Sequence, residues 1–394
     1  MRPSRGRRAV TRVRAAQALR ESRWAPRRRR RTRPKGEAPR SATHPGRRPG
    51  SPAPGPPATT GSGHRTARSG ARHRPSTSPH HTKIGPVGKG RDGHQVRRYD
   101  WLREIRRLDP ERDFLRIYRI IATHEFPWDL TRALELALYR TYAVPSIGRL
   151  LAETAELTDR TQKRYDDTAL LLDAVVEHGF DSTEGRTAIR RINQMHHGYD
   201  ISNEDMRYVL CTFVVVPKRW LDAYGWRRLT AHEQQAVAAY YRTLGRHMGI
   251  AGIPQTYQDF ERCLDAYEAA HFGWDEGGRR VSDATLDLMA GWYGPLAPVV
   301  RGASMALLDD ALLAAFRYEP PAPAVRKTVR GALKLRARAV RLLPPRRTPH
   351  YARQNPEIKG YPNGFRLAAL GTFPAARPTG TCPVPHGEEP AAPE

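Results

Sequence analysis

From Tyr99 onward, apolar residues recur at i, i+3, i+4 and i+7 in long runs broken by short Pro, Gly and Asp punctuation, the period of amphipathic helices. The spacing predicts helices at roughly 99–123, 128–142, 145–157, 159–179, 183–199, 203–223, 231–249, 256–271, 282–292, 297–316 and 323–342. Ser202 with Asp205, Thr230 with Glu233 and Thr256 with Asp259 read as capping boxes, and Pro145 and Pro298 suit first turns. One run is ambiguous: the β-branched stretch Tyr208–Val216 could be a buried strand, but the cap before it favours a buried helix. There is no alternating strand set and no internal repeat, so the expected fold class is all-α, a single helical bundle over residues 96–375.

Two of these helices put polar groups on apolar faces. In 159–179, Arg164 and Thr168 stand four apart and continue into Leu171, Leu172 and Val175, one stripe that should face inward. In 183–199, Gly185, Ala188, Ile189, Ile192, Met195, His196 and Tyr199 share a stripe, whereas His197 falls in line with Arg186, Arg190 and Asn193. His196 is therefore the inward histidine. An inward Arg calls for an anion and a buried imidazole for a partner. A haem needs one imidazole for its iron, an apolar slot, and cationic or hydroxyl groups for its propionates, and this run supplies each kind. The plainer alternatives stay open here: a core histidine with an ordinary partner, an Arg164 paired with Asp166 or Asp167 at the surface, and a Thr168 bonded to its own i−4 carbonyl. His247 shares a face with Tyr240 and Leu244 and is a candidate for the opposite side of a cofactor, or for core packing. His124 reads as a capping or structural histidine. The adjacent carboxylates Asp166/Asp167 and Glu204/Asp205 read as surface or capping groups.

Charge changes the picture only at one end. Residues 1–95 carry 25 Lys+Arg against 3 Asp+Glu, which leaves 42 against 37 for the remainder of a chain of 394 residues and net charge +27. This Arg/Pro/Gly-rich segment is expected to be a disordered extension. It reads as a polybasic arm for nucleic acid or an anionic surface, as a plain solvated extension, or as sequence upstream of the natural start; no Met occurs between Met1 and Met195, so that start would fall at a valine codon, Val87 or Val96. Residues 376–394 are expected to be a flexible tail. The three cysteines, Cys211, Cys263 and Cys382, lack CxxC spacing and suit a reduced, cytoplasmic chain. No run approaches a membrane span; Tyr208–Pro217 is about half the needed length. The first thirty residues are basic without an apolar h-region and do not read as a secretory signal. HEFPW and HEQQA are not HExxH, GxSxG and the Gly-rich nucleotide loops are absent, and a single ExxH, Glu268 with His271, is too few for a di-iron bundle.

The series EFPWD (125–129), YAVPSIGRLLAETAEL (142–157), RYDDT (164–168), AIRRINQMHHGYDISNEDMRYVLCTFVVVPKRW (188–220), YGWR (224–227) and LGRHMGI (244–250) resembles the MpaB and rubber oxygenase family, which includes the latex clearing proteins. The resemblance runs over roughly 99–375. It implies a globin-like helical bundle with one haem b, activating dioxygen to cleave double bonds of an apolar, isoprenoid-type substrate. Carried over, the family's RxxxT pair falls on Arg164 and Thr168, and its axial histidine, in an RxxxxH setting, on His196 after Arg191. His196 would then be the iron ligand, with Arg164 and Thr168 at the haem edge or shaping the oxygen-side pocket. His247 would stand as a distal candidate. The double histidine and the basic extension depart from the family pattern. Two rival readings remain: a haem-binding helical protein without turnover, and a nucleic-acid-binding protein acting through its basic arm, although no specific nucleic acid is expected as a partner of the folded part.

Overall fold

In a computed structural model of the chain, residues 97–372 are described, and they all lie in one compact unit. The segments 1–95 and 376–394, expected to be an extension and a tail, lie outside the described residues. Fourteen α-helices and no strand occur among the described residues, so the all-α expectation holds. In chain order they are α1 (Asp100–Ile105), α2 (Phe114–Ile120), α3 (Pro127–Thr141), α4 (Pro145–Glu153), α5 (Glu156–Asp159), α6 (Thr161–His178), α7 (Thr183–His196), α8 (Asn203–Tyr224), α9 (Ala231–His247), α10 (Tyr257–His271), α11 (Glu276–Gly291), α12 (Ala297–Leu307), α13 (Asp310–Ala315) and α14 (Pro323–Leu342).

The ambiguous Tyr208–Val216 run is the middle of α8, the central helix, against which α3, α9 and α10 pack. Tyr208, Cys211, Val214 and Val215 are fully buried. Burial on all sides, rather than backbone propensity, explains the β-branched composition, and the helix runs on through Pro217. The Ser202 cap is half of the expected box. Its hydroxyl accepts from Asp205 N at 3.0 Å, but the Asp205 carboxylate takes Ser146 and Tyr267 instead. Both other boxes are complete.

Four predicted helices differ from those observed, each for a local reason. The 99–123 run breaks at Asp109–Pro110, where the Asp109 carboxylate accepts from Glu111 N and Arg112 N and closes a turn. A π-turn over Ile121–Glu125 then follows α2. The 145–157 run breaks at Ala155, which sits at φ 56°. The 297–316 run breaks at extended Leu308, after which Asp309 caps α13 through Leu312 N. Conversely, α11 starts six residues earlier than expected, because Gly277–Gly278 is not a loop. A Cβ on Gly148 would lie 2.7 Å from the Gly278 Cα, so the glycines permit the close crossing of α4 and α11.

Candidate functional site

The α6–α7 hairpin holds the residues singled out in the sequence. Gly179, at φ 81°, ends α6, and Ser182 starts α7 by accepting from Gly185 N at 2.9 Å. A Cβ on Gly185 would strike the Gly179 carbonyl, so the turn is tight and the two helices pack along their length. On α7, Gly185, Ala188, Ile189, Ile192 and Met195 are buried. His196 is half-buried at the helix end and His197 is exposed, which is the orientation the periodicity predicted.

Arg164 and Thr168 form one unit on α6. The guanidinium Nη1 donates to Thr168 Oγ1, whose own hydrogen goes to the Arg164 carbonyl at 2.9 Å. Across the hairpin, His196 Nδ1 is buried and has no hydrogen-bond partner among the described residues. Burial first, then the positive charges of Arg164 and His197, push the imidazole down to about 4. At neutral pH this ring is therefore uncharged and keeps its lone pairs. The same Arg164 charge reaches Tyr142, a buried residue after α3 that bonds Thr285 of α11. The structure thus brings Arg164, Thr168 and His196 together.

The other two candidates are placed differently. Arg191 donates from Nε at 3.0 Å and Nη2 at 2.6 Å to the Leu370 carbonyl. His247 is exposed at the end of α9, with its ring stacked on Phe180 at 5.4 Å, and its carbonyl accepts from Asn193.

Sequence reasoning missed the opposite side of α6. Asp166 and Asp167 are fully buried, which corrects their reading as surface groups. Asp166 accepts from Gly360 N at 2.6 Å, Lys359 N at 3.2 Å and Gln162 at 2.8 Å; Asp167 accepts from Lys163 at 2.5 Å and from the Tyr361 hydroxyl. Asp173 accepts from Ala352 N at 2.9 Å and from Arg353. Burial raises the Asp166 and Asp173 carboxyls above their ordinary value, against the pull of the amides that bond them. Arg132, on α3, ties Glu357 to Glu135, whose carboxyl burial pushes up to about 7. Residues 345–372 thus form a strap over α6 and α7, ending with Gly371 against the Met195 sulfur. The signal available in sequence was an acidic row at Asp166, Asp173 and Glu177, spaced i, i+7, i+11.

Residues with this arrangement fit a haem. A neutral imidazole whose buried Nδ1 has no partner can serve an iron, and a guanidinium braced by a hydroxyl can meet a propionate. Among the described residues, no group of three or more His, Cys, Asp or Glu could hold a metal ion by itself, and no helix is long and apolar enough to cross a membrane.

Comparison with known proteins gives concordant matches. The chain is 30% identical over 259 residues to the ER-bound oxygenase mpaB' of Penicillium brevicompactum, covering 61% of each protein. It is 29% identical over 236 residues to the ER-bound oxygenase mpaB of the same organism, covering 55% of this chain and 60% of the relative. A third relative, the ER-bound oxygenase mpaB of Penicillium roqueforti, is 28% identical over 227 residues, 53% of this chain and 76% of the relative. The chain thus spans about three fifths of the length of the first two relatives. The family model described as "ER-bound oxygenase mpaB/B'/Rubber oxygenase, catalytic domain" matches residues 128–342, more than half of the chain and all of α6 and α7. The chain belongs to the mpaB/rubber oxygenase family.

Proposed function

We propose that the protein is a haem b-dependent oxygenase in which His196 is the iron ligand and Arg164 and Thr168 hold the haem edge or shape the oxygen-side pocket. The observation that carries this reading is the buried His196 nitrogen without a partner, set beside a braced cation. When bound, haem b supplies dioxygen activation for oxidative cleavage of a carbon–carbon double bond in an apolar, isoprenoid-like substrate.

What the chain does is to prepare the slot. Burial keeps His196 neutral, so no proton has to leave before it can act as a ligand. Thr168 fixes the guanidinium of Arg164, which lowers the ordering needed when that charge meets a carboxylate. The strap closes over the outer side of the hairpin: Arg191 fastens Leu370, and Gly371 packs against Met195. His247, exposed on Phe180, is the weaker distal candidate. A cytoplasmic body belongs to the same proposal, in keeping with the free thiols Cys211 and Cys263. The visible spectrum of the purified, haem-supplemented protein tests the reading. A Soret band is expected for the wild type and its loss or displacement for His196→Ala; full haem with an unchanged spectrum in that variant would defeat it.

A further inference from the structure

Helix α14 is attached to the body along one narrow side. Only Ala337 is buried, while Leu333 and Val340 pack partly on the core and the helix rests on α8 and α12. Its outward side holds Val325 at 44% exposure, Leu335 at 65% and Leu342 at 86%, with Leu343 at 58% just beyond. At 100° per residue, Val325, Ala332, Leu335, Ala339 and Leu342 fill one half of that face. Lys327, Lys334, Arg338 and Arg341 fill the other half, all exposed.

The charge there is unneutralised. The helix has seven basic residues and no acidic one. Arg326 pairs with Asp310 at 2.7 Å and Arg336 with Asp129 at 3.1 Å. Lys327, Lys334, Arg338 and Arg341 have no ion-pair partner among the described residues. On α12, which packs on α14, Val299 is 68% exposed, and Leu296 just before it is 60% exposed.

We propose that the outward face of α14 docks on an anionic lipid bilayer surface, with the leucine half immersed at the headgroup boundary and the basic half on lipid phosphates and carboxylates. An interfacial helix needs this pairing of an apolar sector with flanking long cations, whose stems lie along apolar surface while their charges reach the headgroups. A duplex nucleic acid would reward the cations and leave Leu335 and Leu342 in water. A two-fold contact with a second copy would set the unpaired cations of one helix against those of the other. The proposal does not depend on the haem reading.

Flotation of the full chain with vesicles tests it, comparing phosphatidylcholine alone with phosphatidylcholine containing phosphatidylserine. The basic extension is common to all the proteins compared, so a difference between them reads α14. The wild type is expected to float with the anionic vesicles. Leu335→Asp/Leu342→Asp and Lys327→Glu/Lys334→Glu/Arg338→Glu should each lower the bound fraction about tenfold, with melting temperatures unchanged because the altered side chains are exposed. Four results overturn the proposal. The wild type fails to float; all three proteins float equally; the charge variant loses duplex-DNA binding that the leucine variant keeps, without either changing flotation; or the leucine variant turns a wild-type dimer into a monomer while leaving flotation intact.

Discussion

The two sides of α6 carry polar side chains in opposite states. Toward the strap, Asp166, Asp167 and Asp173 are buried with their carboxylates bonded by main-chain amides and side-chain donors from up to 194 residues away. Toward α7, Arg164 and Thr168 bond each other, and the facing His196 has a buried nitrogen with nothing to meet it. A buried polar group that is bonded holds structure together, while one left unbonded costs stability that only a further partner can recover. The first side is architecture, and the second is the side to which we assign the proposed cofactor.

The largest effect is expected where the architecture is cut. Asp166→Leu leaves Gly360 N and Lys359 N without their acceptor and should cost about 3 kcal/mol, read as the shift of the urea midpoint at unchanged slope. A loss under about 1 kcal/mol would mean that the strap does not depend on this carboxylate. At the far end, Gly371 sits at φ 89° with Met195 where a Cβ would be. Gly371→Ala should therefore cost about 1–2 kcal/mol through strain and displacement of the sulfur. If protease nicking of the strap in this variant stayed at the wild-type level, the end of the strap would not be seated as described.

These two effects also mark the limit of what the sequence conveys. The α7 stripe is local, so period alone sufficed to turn His196 inward and His197 outward. The partners of Asp166 and Asp173 lie almost two hundred positions away, and no local pattern distinguishes a carboxylate awaiting a strap from one in water. The start of α11 at Glu276, six residues ahead of the expected 282, escaped for the same reason. Its Gly277–Gly278 pair is explained only by Gly148 of another helix. Even at the site, periodicity makes His196 inward and leaves its chemistry open; the missing hydrogen-bond partner is a fact of three dimensions.

A smaller effect follows where the strap begins. His124 packs on Trp101 at 4.3 Å, next to the point where His350 N bonds the Thr123 carbonyl. Burial, aided by Arg346 and opposed by Glu104, pushes His124 down to about 4 from 6.5. Between those values the unfolded chain binds a proton that the folded one refuses, so stability falls as pH drops from 6.5 toward 4. His124→Phe keeps a ring on Trp101 and should shrink that acid loss by about 1 kcal/mol, measured as the difference in urea stability between pH 7 and pH 4.5. An equal loss in both proteins would place the acid sensitivity elsewhere than at His124.

The smallest expected change is the most discriminating. His196→Leu removes a buried nitrogen that has no partner and replaces it with a side chain of similar size, so the cofactor-free protein should lose less than about 0.5 kcal/mol and could gain. Urea unfolding of the haem-free protein at pH 7.5 measures this directly, well above the value at which the ring would charge. Set beside Asp166→Leu, the result separates the two sides of α6 without any assay of turnover. A loss of 2 kcal/mol or more would make His196 a structural residue with a partner in solution, and the contrast between the bonded and unbonded sides would collapse. A near-zero change would leave a histidine buried at little benefit to the fold, which is what a residue kept for a ligand should look like.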